Sequence, residues 1–199
     1  MILRLIRGVA IPLELAALQA ALLARLGGSD RHPAGPTRYH LASRSGAKLE
    51  VLIMSEWPSA EAALDADAQE ASPLRIAMTS GIRDLNTAHF EVDSAIEHPG
   101  AGEPIAIRVA TGTFSRHGTD IEMLDLLRER LPLVGDDITE AYIARRLVGR
   151  AVEVAFVSAW RRIPEDRPLE EPFWPDIALR YDRFTVEVFR HVGGAAPIG

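Results

Sequence analysis

Apolar positions along this chain are spaced in two alternating ways. Short continuous apolar runs are typical of buried strands, and leucines that return every three or four residues are typical of one helix face. In residues 1–97 the pattern predicts four strands and two helices in the order β-α-β-β-α-β, the ferredoxin-like motif. The strands are 2–10, 38–44, 49–57 and 89–96, and the helices are 12–26 and 59–71.

The same order returns in residues 105–199. Its predicted strands are 105–114, 141–147, 151–160 and 184–192. Thr119 and Glu122 form a capping box at the start of its first helix. The predicted buried stripe of that helix is Ile121, Leu124, Leu127 and Leu131. Prolines in residues 163–175 delay the second helix to about Asp176 and make it short.

Individual residues also match between the two sets of elements. Leu49–Trp57, LEVLIMSEW, returns as Val152–Trp160, VEVAFVSAW. The further matched pairs are Glu50 and Glu153, Tyr39 and Tyr142, Arg4 and Arg108, and Gly8 and Gly112. The matches keep one order, and loop insertions explain small changes of offset. We therefore predict a duplicated domain.

The predicted boundaries follow from composition. Residues 1–97 form the first repeat, 98–104 a linker rich in Pro and Gly, and 105–199 the second repeat. We call 1–97 the first half and 105–199 the second half. In both halves the third strand is apolar on its two faces, so both faces of the sheet should be packed against other parts of the protein. We expect an α+β fold in which two ferredoxin-like repeats pack sheet to sheet as an intramolecular α/β barrel. Further dimerisation is left open.

Composition limits the classes of partner and the cellular compartment that we expect for this protein. The formal charge of -6 disfavours a nucleic acid or an anionic membrane surface as partner. The sequence has no Cys, which excludes disulfides and thiolate catalysis, and a reducing cytoplasm is the simplest compartment. The apolar N-terminal stretch has a counterpart at 105–131, which argues against a removable signal peptide. No apolar run reaches the length of a membrane span.

One segment resembles a known family. The strand–Trp–helix step at Ser55–Ala66, SEWPSAEAALDA, resembles the antibiotic biosynthesis monooxygenase domain of the dimeric α/β-barrel superfamily. The resemblance implies the barrel fold and a monooxygenase that oxidises an aromatic or quinol-like molecule without a cofactor. Two alternatives share the fold: a noncatalytic protein that binds a small apolar or aromatic ligand, and a structural protein.

The resemblance also shows where this chain departs from its heme-degrading members. Those proteins use an Asn on the first strand and a Trp and a His on the second helix. The single Asn here, Asn86, lies outside both first strands, and no His follows Trp174 at a matching distance. We predict no cofactor. Trp57 and Trp160 match a Trp of the family that ends the third strand, and we expect them to pack in the core.

The remaining candidates for chemistry are sparse. The six His show no i, i+4 spacing on a helix, so no metal site is predicted. His117, in the turn TFSRHGTD, is a weak candidate for an acid or base, and a plain loop residue is the alternative. Arg4 and Arg108 lie on interior strands and need partners, because an isolated buried charge is expensive. Glu50 and Glu153 are the predicted partners.

The second half is much richer in aromatic residues than the first. We predict a ligand site between its sheet and helices, where the delayed second helix leaves space. Its predicted lining is Arg108, Tyr142, Trp160 and Trp174, with His117 at the edge. Aromatic walls and an arginine would suit a planar molecule that bears an anionic oxygen. In the alternative, Phe173 and Trp174 simply fill the space.

Overall fold

The computed structural model describes residues 1–26, 35–68, 72–98, 102–114, 119–163, 168–172 and 174–195. Its strands are Ile2–Ala10 (β1), Arg38–Ser45 (β2), Leu49–Trp57 (β3), Arg83–Glu97 (β4), Ala106–Phe114 (β5), Ile138–Val148 (β6), Ala151–Trp160 (β7) and Arg183–Ala195 (β8). Its helices are Pro12–Leu26 (α1), Ala60–Asp67 (α2), Pro73–Thr79 (α3), Thr119–Arg130 (α4) and Pro175–Ala178 (α5), with a 3-10 turn at Leu131–Leu133.

The strands confirm the predicted fold class. The chain is α+β, and its eight strands close in the order β1-β3-β2-β8-β5-β7-β6-β4. Each half contributes one run of neighbours, β4-β1-β3-β2 and β8-β5-β7-β6, which is the ferredoxin-like order. No helix in the described ranges is long and apolar enough to cross a membrane.

Contacts divide the chain into two compact units. One unit comprises residues 1–89 and 191–199, and the other comprises 90–190. The two long strands β4 and β8 each contribute residues to both units. β4 is much longer than the predicted strand at 89–96. Its first residues are mostly polar and show no apolar alternation, so the sequence pattern did not indicate that they form a strand. The bounds at 97 and 105 stay a prediction.

Helices α1 and α3 cover the sheet in the first half. Leu18, Leu22 and Leu26 of α1 are buried, because they lie three or four residues apart on one face of the helix. They share one core with Val51 and Ile53 of β3 and with two residues of α3. α2 begins directly after Ser59, whose hydroxyl accepts the Ala62 amide at 3.1 Å and so caps the helix.

Helix α4 and the single turn α5 cover the second half. Leu124, Leu127 and Leu131 are buried, as predicted. Ile121 was predicted wrongly, since it is 58% exposed and Met123 lies in the core instead. A helix turns about 100° per residue, so Ile121 lies just outside the arc that includes Met123, Leu124 and Leu127. α5 has four residues, which confirms the short second helix expected from the prolines.

Candidate functional site

Two buried arginines occupy the same position in the two halves. Arg4 on β1 pairs with Ser55 of β3, and Arg108 on β5 pairs with Ser158 of β7. Their exposed fractions are 0% and 1%. The strand registers therefore support the sequence match between these arginines, and their surroundings can be compared directly.

Arg4 is neutralised by a carboxylate. Its Nη1 donates to Asp67 Oδ1 at 2.5 Å and to the main-chain oxygen of Ala63 at 3.3 Å. The guanidinium carbon lies 4.7 Å from the centre of the Trp57 ring. Burial lowers the pKa of Arg4 from its usual value, and the Asp67 carboxylate opposes that change. The Ser72 hydroxyl also donates to Asp67 Oδ1, at 2.5 Å, so the start of helix α3 is tied to this ion pair.

The predicted pairs of Arg4 with Glu50 and of Arg108 with Glu153 are wrong. The Arg44 Nε donates to Glu50 at 2.9 Å, and the Arg146 Nε donates to Glu153 at 2.5 Å. Both are cross-strand pairs at the same place in the two hairpins. Arg4 lies opposite Ser55, five positions along β3 from Glu50, which corresponds to about 17 Å in a strand. Neither glutamate can reach its predicted partner.

Arg108 is held by main-chain oxygens. Its Nε donates to the carbonyl of Leu169 at 2.8 Å, and its Nη2 donates to the carbonyl of Glu171 at 2.9 Å. Both acceptors lie between β7 and α5, as α2 lies between β3 and α3 in the first half. A carbonyl oxygen carries a dipole and no net charge, and these two bonds fix the position of the guanidinium.

Arg108 also lines a small cavity within the second half. The cavity has a volume of about 20 Å³, which is room for one water molecule. Its other walls are Ala110, Leu127, Phe156, Trp174, Ile177, Ala178, Tyr181 and Phe184. The Trp174 ring lies 5.2 Å from the ring of Phe156. Of the predicted site residues, the structure brings Arg108 and Trp174 to this cavity.

Tyr181 is a wall residue that the sequence did not suggest. Its ring packs on the Cα of Gly112, where an added Cβ would lie 1.8 Å from the ring carbon Cδ1. The ring also lies 4.5 Å from that of Phe114 and 5.3 Å from that of Phe184. Burial raises the pKa of Tyr181, so its hydroxyl stays a neutral donor at physiological pH. A glycine inside a buried strand signals such a close approach, although not by which residue.

Trp160 lies in the core. Its indole N–H donates to the Ser158 hydroxyl at 2.8 Å, just as the Trp57 indole donates to Ser55 at 3.0 Å. Trp160 is 1% exposed and belongs to the hydrophobic core of the second half, and it is not among the residues that line the cavity. The equal arrangement in both halves supports a packing role for both tryptophans.

Tyr142 lies on the opposite face of the sheet from Arg108. It pairs with Val157, whereas Ala141 pairs with Ser158 and so shares the face of Arg108. The β6–β7 hairpin has one more residue than the β2–β3 hairpin between its paired arginine and glutamate. A shift of one residue turns a strand's side chains to the other face. The structural counterpart of Tyr39 is therefore Ala141, and the Tyr142 hydroxyl donates to Glu140 at 3.0 Å.

His117 and Phe173 lie outside the described residues. Within the described ranges, no group of three His, Asp or Glu side chains is placed to hold a metal ion. Among the described residues that line the cavity, none is a His, Asp or Glu. These residues provide the Arg108 cation and aromatic surfaces.

Comparisons with known proteins concern the fold. The sequence matches no protein-family model and no curated protein. A candidate monooxygenase from Fusobacterium nucleatum superposes with a TM-score of 0.71 at 14% identity, over 98% of this chain and 94% of that one. A candidate monooxygenase from Lactobacillus acidophilus gives 0.64 at 7% identity, over 98% and 96%. An anthrone oxidase-like protein gives 0.62 at 14% identity, over 100% and 94%.

The chain has the fold of these monooxygenase-like proteins. The resemblance expected from Ser55–Ala66 is thus confirmed at the level of the fold. Identities of 14% and below establish architecture only, so the function has to be argued from the side chains of this chain.

Proposed function

We propose that the second half of this monooxygenase-like protein binds a planar aromatic molecule that carries an anionic oxygen. The observation that carries the proposal is that Arg108, held by main-chain carbonyls, lines an aromatic cavity. The equivalent Arg4 is bound to Asp67 and is committed to the fold. The proposal rests on the position of Arg108 in the cavity wall, among aromatic side chains.

Different residues of the cavity wall contact different parts of such a ligand. Trp174 and Phe156 offer ring faces on which an aromatic ligand can stack. The Arg108 guanidinium attracts the oxygen anion, and the neutral Tyr181 hydroxyl is a second donor on the same wall. The ligand is taken up as its anion, and Arg108 favours that form by lowering the pKa of the bound phenol.

A ring system is larger than the cavity of about 20 Å³, so binding requires the wall to open. α5 is the part of the wall that can move most easily. It is a single turn, and its N-cap residue, Trp174, makes no side-chain capping hydrogen bond. An isolated turn is not stable by itself, so its position depends on a few tertiary contacts.

The binding proposal can be tested with fluorescence. Titration with dithranol, an anthrone-type phenol, should quench tryptophan emission saturably, and Trp174→Phe should remove most of that quenching. Arg108→Gln should weaken binding of the phenolate by about tenfold or more, because a charge-assisted contact is lost. Arg4→Gln is the matched control: it should lower the melting temperature and leave the affinity unchanged. Absence of saturable quenching, or equal loss of affinity in both Arg variants, would contradict the proposal.

A second candidate function is oxidation of the bound molecule by O2 without a cofactor. The observation that favours it is again Arg108, since an anionic phenol or enol gives up electrons to O2 far more readily than its neutral form. For an anthrone, the CH2 group becomes a carbonyl. One O2 is consumed, one of its atoms enters the new carbonyl, and the other leaves as water. The fold shared with an anthrone oxidase-like protein supports testing this reaction.

An oxygen electrode separates the two candidates. With anthrone as substrate, the oxidase predicts O2 uptake and formation of anthraquinone in equal amounts, and the rate should fall strongly in Arg108→Gln. Saturable binding with O2 uptake at the buffer's own rate would leave a noncatalytic binding protein.

A further inference from the structure

We infer that the ion pair between Arg130 and Asp176 is a latch that controls how fast ligands reach the cavity beside Arg108. The inference rests on the proposed function, because it concerns the regulation of that same site. It follows from three observations: where the pair lies, what it joins, and how small the closed cavity is.

The latch joins a firmly packed helix to a single turn. Arg130 is the last residue of α4, and Asp176 is the second residue of α5. The guanidinium donates to both carboxylate oxygens, with Nη1 to Oδ1 at 2.9 Å and Nη2 to Oδ2 at 2.6 Å. This bidentate geometry is the most directional form of an Arg–carboxylate pair.

The two sides of the latch differ in stability. α4 packs its buried leucines into the core of the second half and is also tied to β4, where Asp93 accepts from the Arg128 Nε at 2.6 Å. α5 is a single turn of four residues, in which Ile177 and Ala178 donate to the Trp174 carbonyl at 3.0 Å. When the latch breaks, α5 is therefore the side that moves.

α5 is also the part of the wall that covers the ligand site. Trp174, Ile177 and Ala178, which span this turn, all line the cavity. Ile177 is 3% exposed, so its burial favours the closed position. A ligand with two or three rings cannot share that position with α5, and the turn must lift before the ligand enters. The latch holds the turn in the position that excludes the ligand.

The latch is placed where solvent can weaken it. The side chains of Arg130 and Asp176 are 28% and 54% exposed. Exposed pairs of this kind contribute little to global stability and are screened by salt, so they can open without unfolding the protein. Access to the cavity should therefore respond to ionic strength even for an uncharged ligand.

The test is stopped-flow quenching of tryptophan fluorescence by 1,4-naphthoquinone, an uncharged probe. Asp176→Asn and Arg130→Gln should each raise the association rate by about two- to fivefold, the range expected for an exposed ion pair. The double variant should be no faster than either single variant, since both remove the same interaction. Raising the salt concentration should speed the wild type and leave Asp176→Asn almost unchanged.

Asp137→Asn is the matched control. Asp137 forms another exposed pair in the second half, with Arg162 at 2.9 Å, and neither residue lines the cavity. This variant should bind at the wild-type rate. The charge-exchanged variant Arg130→Asp/Asp176→Arg should restore slow binding. Equal rates in the wild type and Asp176→Asn, or equal acceleration by Asp137→Asn, would overturn the latch while leaving the binding proposal intact.

Hydrogen exchange tests the latch without a ligand, so that failure of the proposed function is distinguishable. The amides of Ile177 and Ala178 should exchange about two- to fivefold faster in Asp176→Asn than in Asp137→Asn. Faster exchange with no probe binding would retain the opening motion and reject the ligand site. Unchanged exchange would reject the latch whatever the probes do.

Discussion

Both halves bury an arginine at the same position of the fold, but the hydrogen-bond partners of that arginine differ between the halves. Each buries an arginine on its first strand beside a Ser–Trp hydrogen bond at the end of its third strand. In the first half, an eight-residue helix brings the carboxylate of Asp67 to that arginine. In the second half, a Pro-rich segment brings two carbonyl oxygens instead. The described partners of the buried arginine thus differ between the halves, a carboxylate in the first and main-chain dipoles in the second.

The glycines extend this comparison. Gly8 and Gly112 both leave room for a residue that follows the last helix of their half. An added Cβ would lie 2.4 Å from Ile82 Cγ2 in the first half and 1.8 Å from the Tyr181 ring in the second. Both halves thus have a glycine at this position, but the side chain packed against it is aliphatic in the first half and carries a hydroxyl in the second. The close approach to the glycine is a feature of the fold, whereas the residue that makes this approach in the second half also lines the candidate site.

The largest expected effect lies where the halves are alike. Trp57→Ala and Trp160→Ala should each lower the free energy of unfolding by about 3–5 kcal/mol, because both truncate a fully buried ring. Urea denaturation measures this effect. If the free energy of unfolding falls much less for Trp160→Ala than for Trp57→Ala, the second half is less tightly packed and the two tryptophans are not equivalent.

The next effect separates the two arginines. Asp67→Ala should destabilise the protein by about 2–3 kcal/mol, somewhat less than for a fully enclosed pair because Asp67 keeps contact with water. The double variant Arg4→Met/Asp67→Ala should recover much of that loss, since no buried charge remains. Thermal unfolding followed by circular dichroism is a suitable measurement. No recovery in the double variant would mean that Asp67 acts mainly through its hydrogen bond with Ser72 at the start of α3.

The glycine pair gives a smaller and more specific effect. Gly112→Ala should cost about 1–3 kcal/mol through overpacking against Tyr181, and Gly8→Ala a similar amount against Ile82. Only Gly112→Ala should also weaken dithranol binding, because it displaces a wall of the cavity. Adding Tyr181→Ala to Gly112→Ala should relieve the clash and cost less than the sum of the single changes. Additive costs would show that the two residues do not press on one another.

The smallest effect concerns pH and the anchoring of α4. Hydrogen bonds from Arg128 lower the pKa of Asp93. A carboxyl group whose pKa is depressed in the folded state stabilises the fold above its unfolded pKa, about 3.9, and loses that contribution as the pH falls through the folded value. The wild type should therefore lose stability below about pH 4 more steeply than Asp93→Asn. Parallel acid-unfolding curves would contradict this role of Asp93.

The sequence by itself determined the architecture and the asymmetry between the halves. Local periodicity identified the order of the strands and of every described helix except α3, and matched residues such as Trp57 and Trp160 marked equivalent places in the two halves. The prolines in 163–175 indicated that the second helix of the second half is short, because proline has no backbone N–H to donate and breaks the helix locally. These features are local or repetitive, and one chain is enough to read them. His117 and the compartment remain predictions.

Only the tertiary structure decided which side chains meet. Tyr142 was expected beside Arg108, and one additional residue in its hairpin turned it to the other face. The partners of Arg4 and Arg108 depended on where α2 and the Pro-rich segment cross the sheet, and Tyr181 reached Gly112 by the path of the chain after α5. Register and loop path are properties of the assembled backbone, since they follow from hydrogen bonds between segments far apart in sequence. Residue types and their spacing do not specify them.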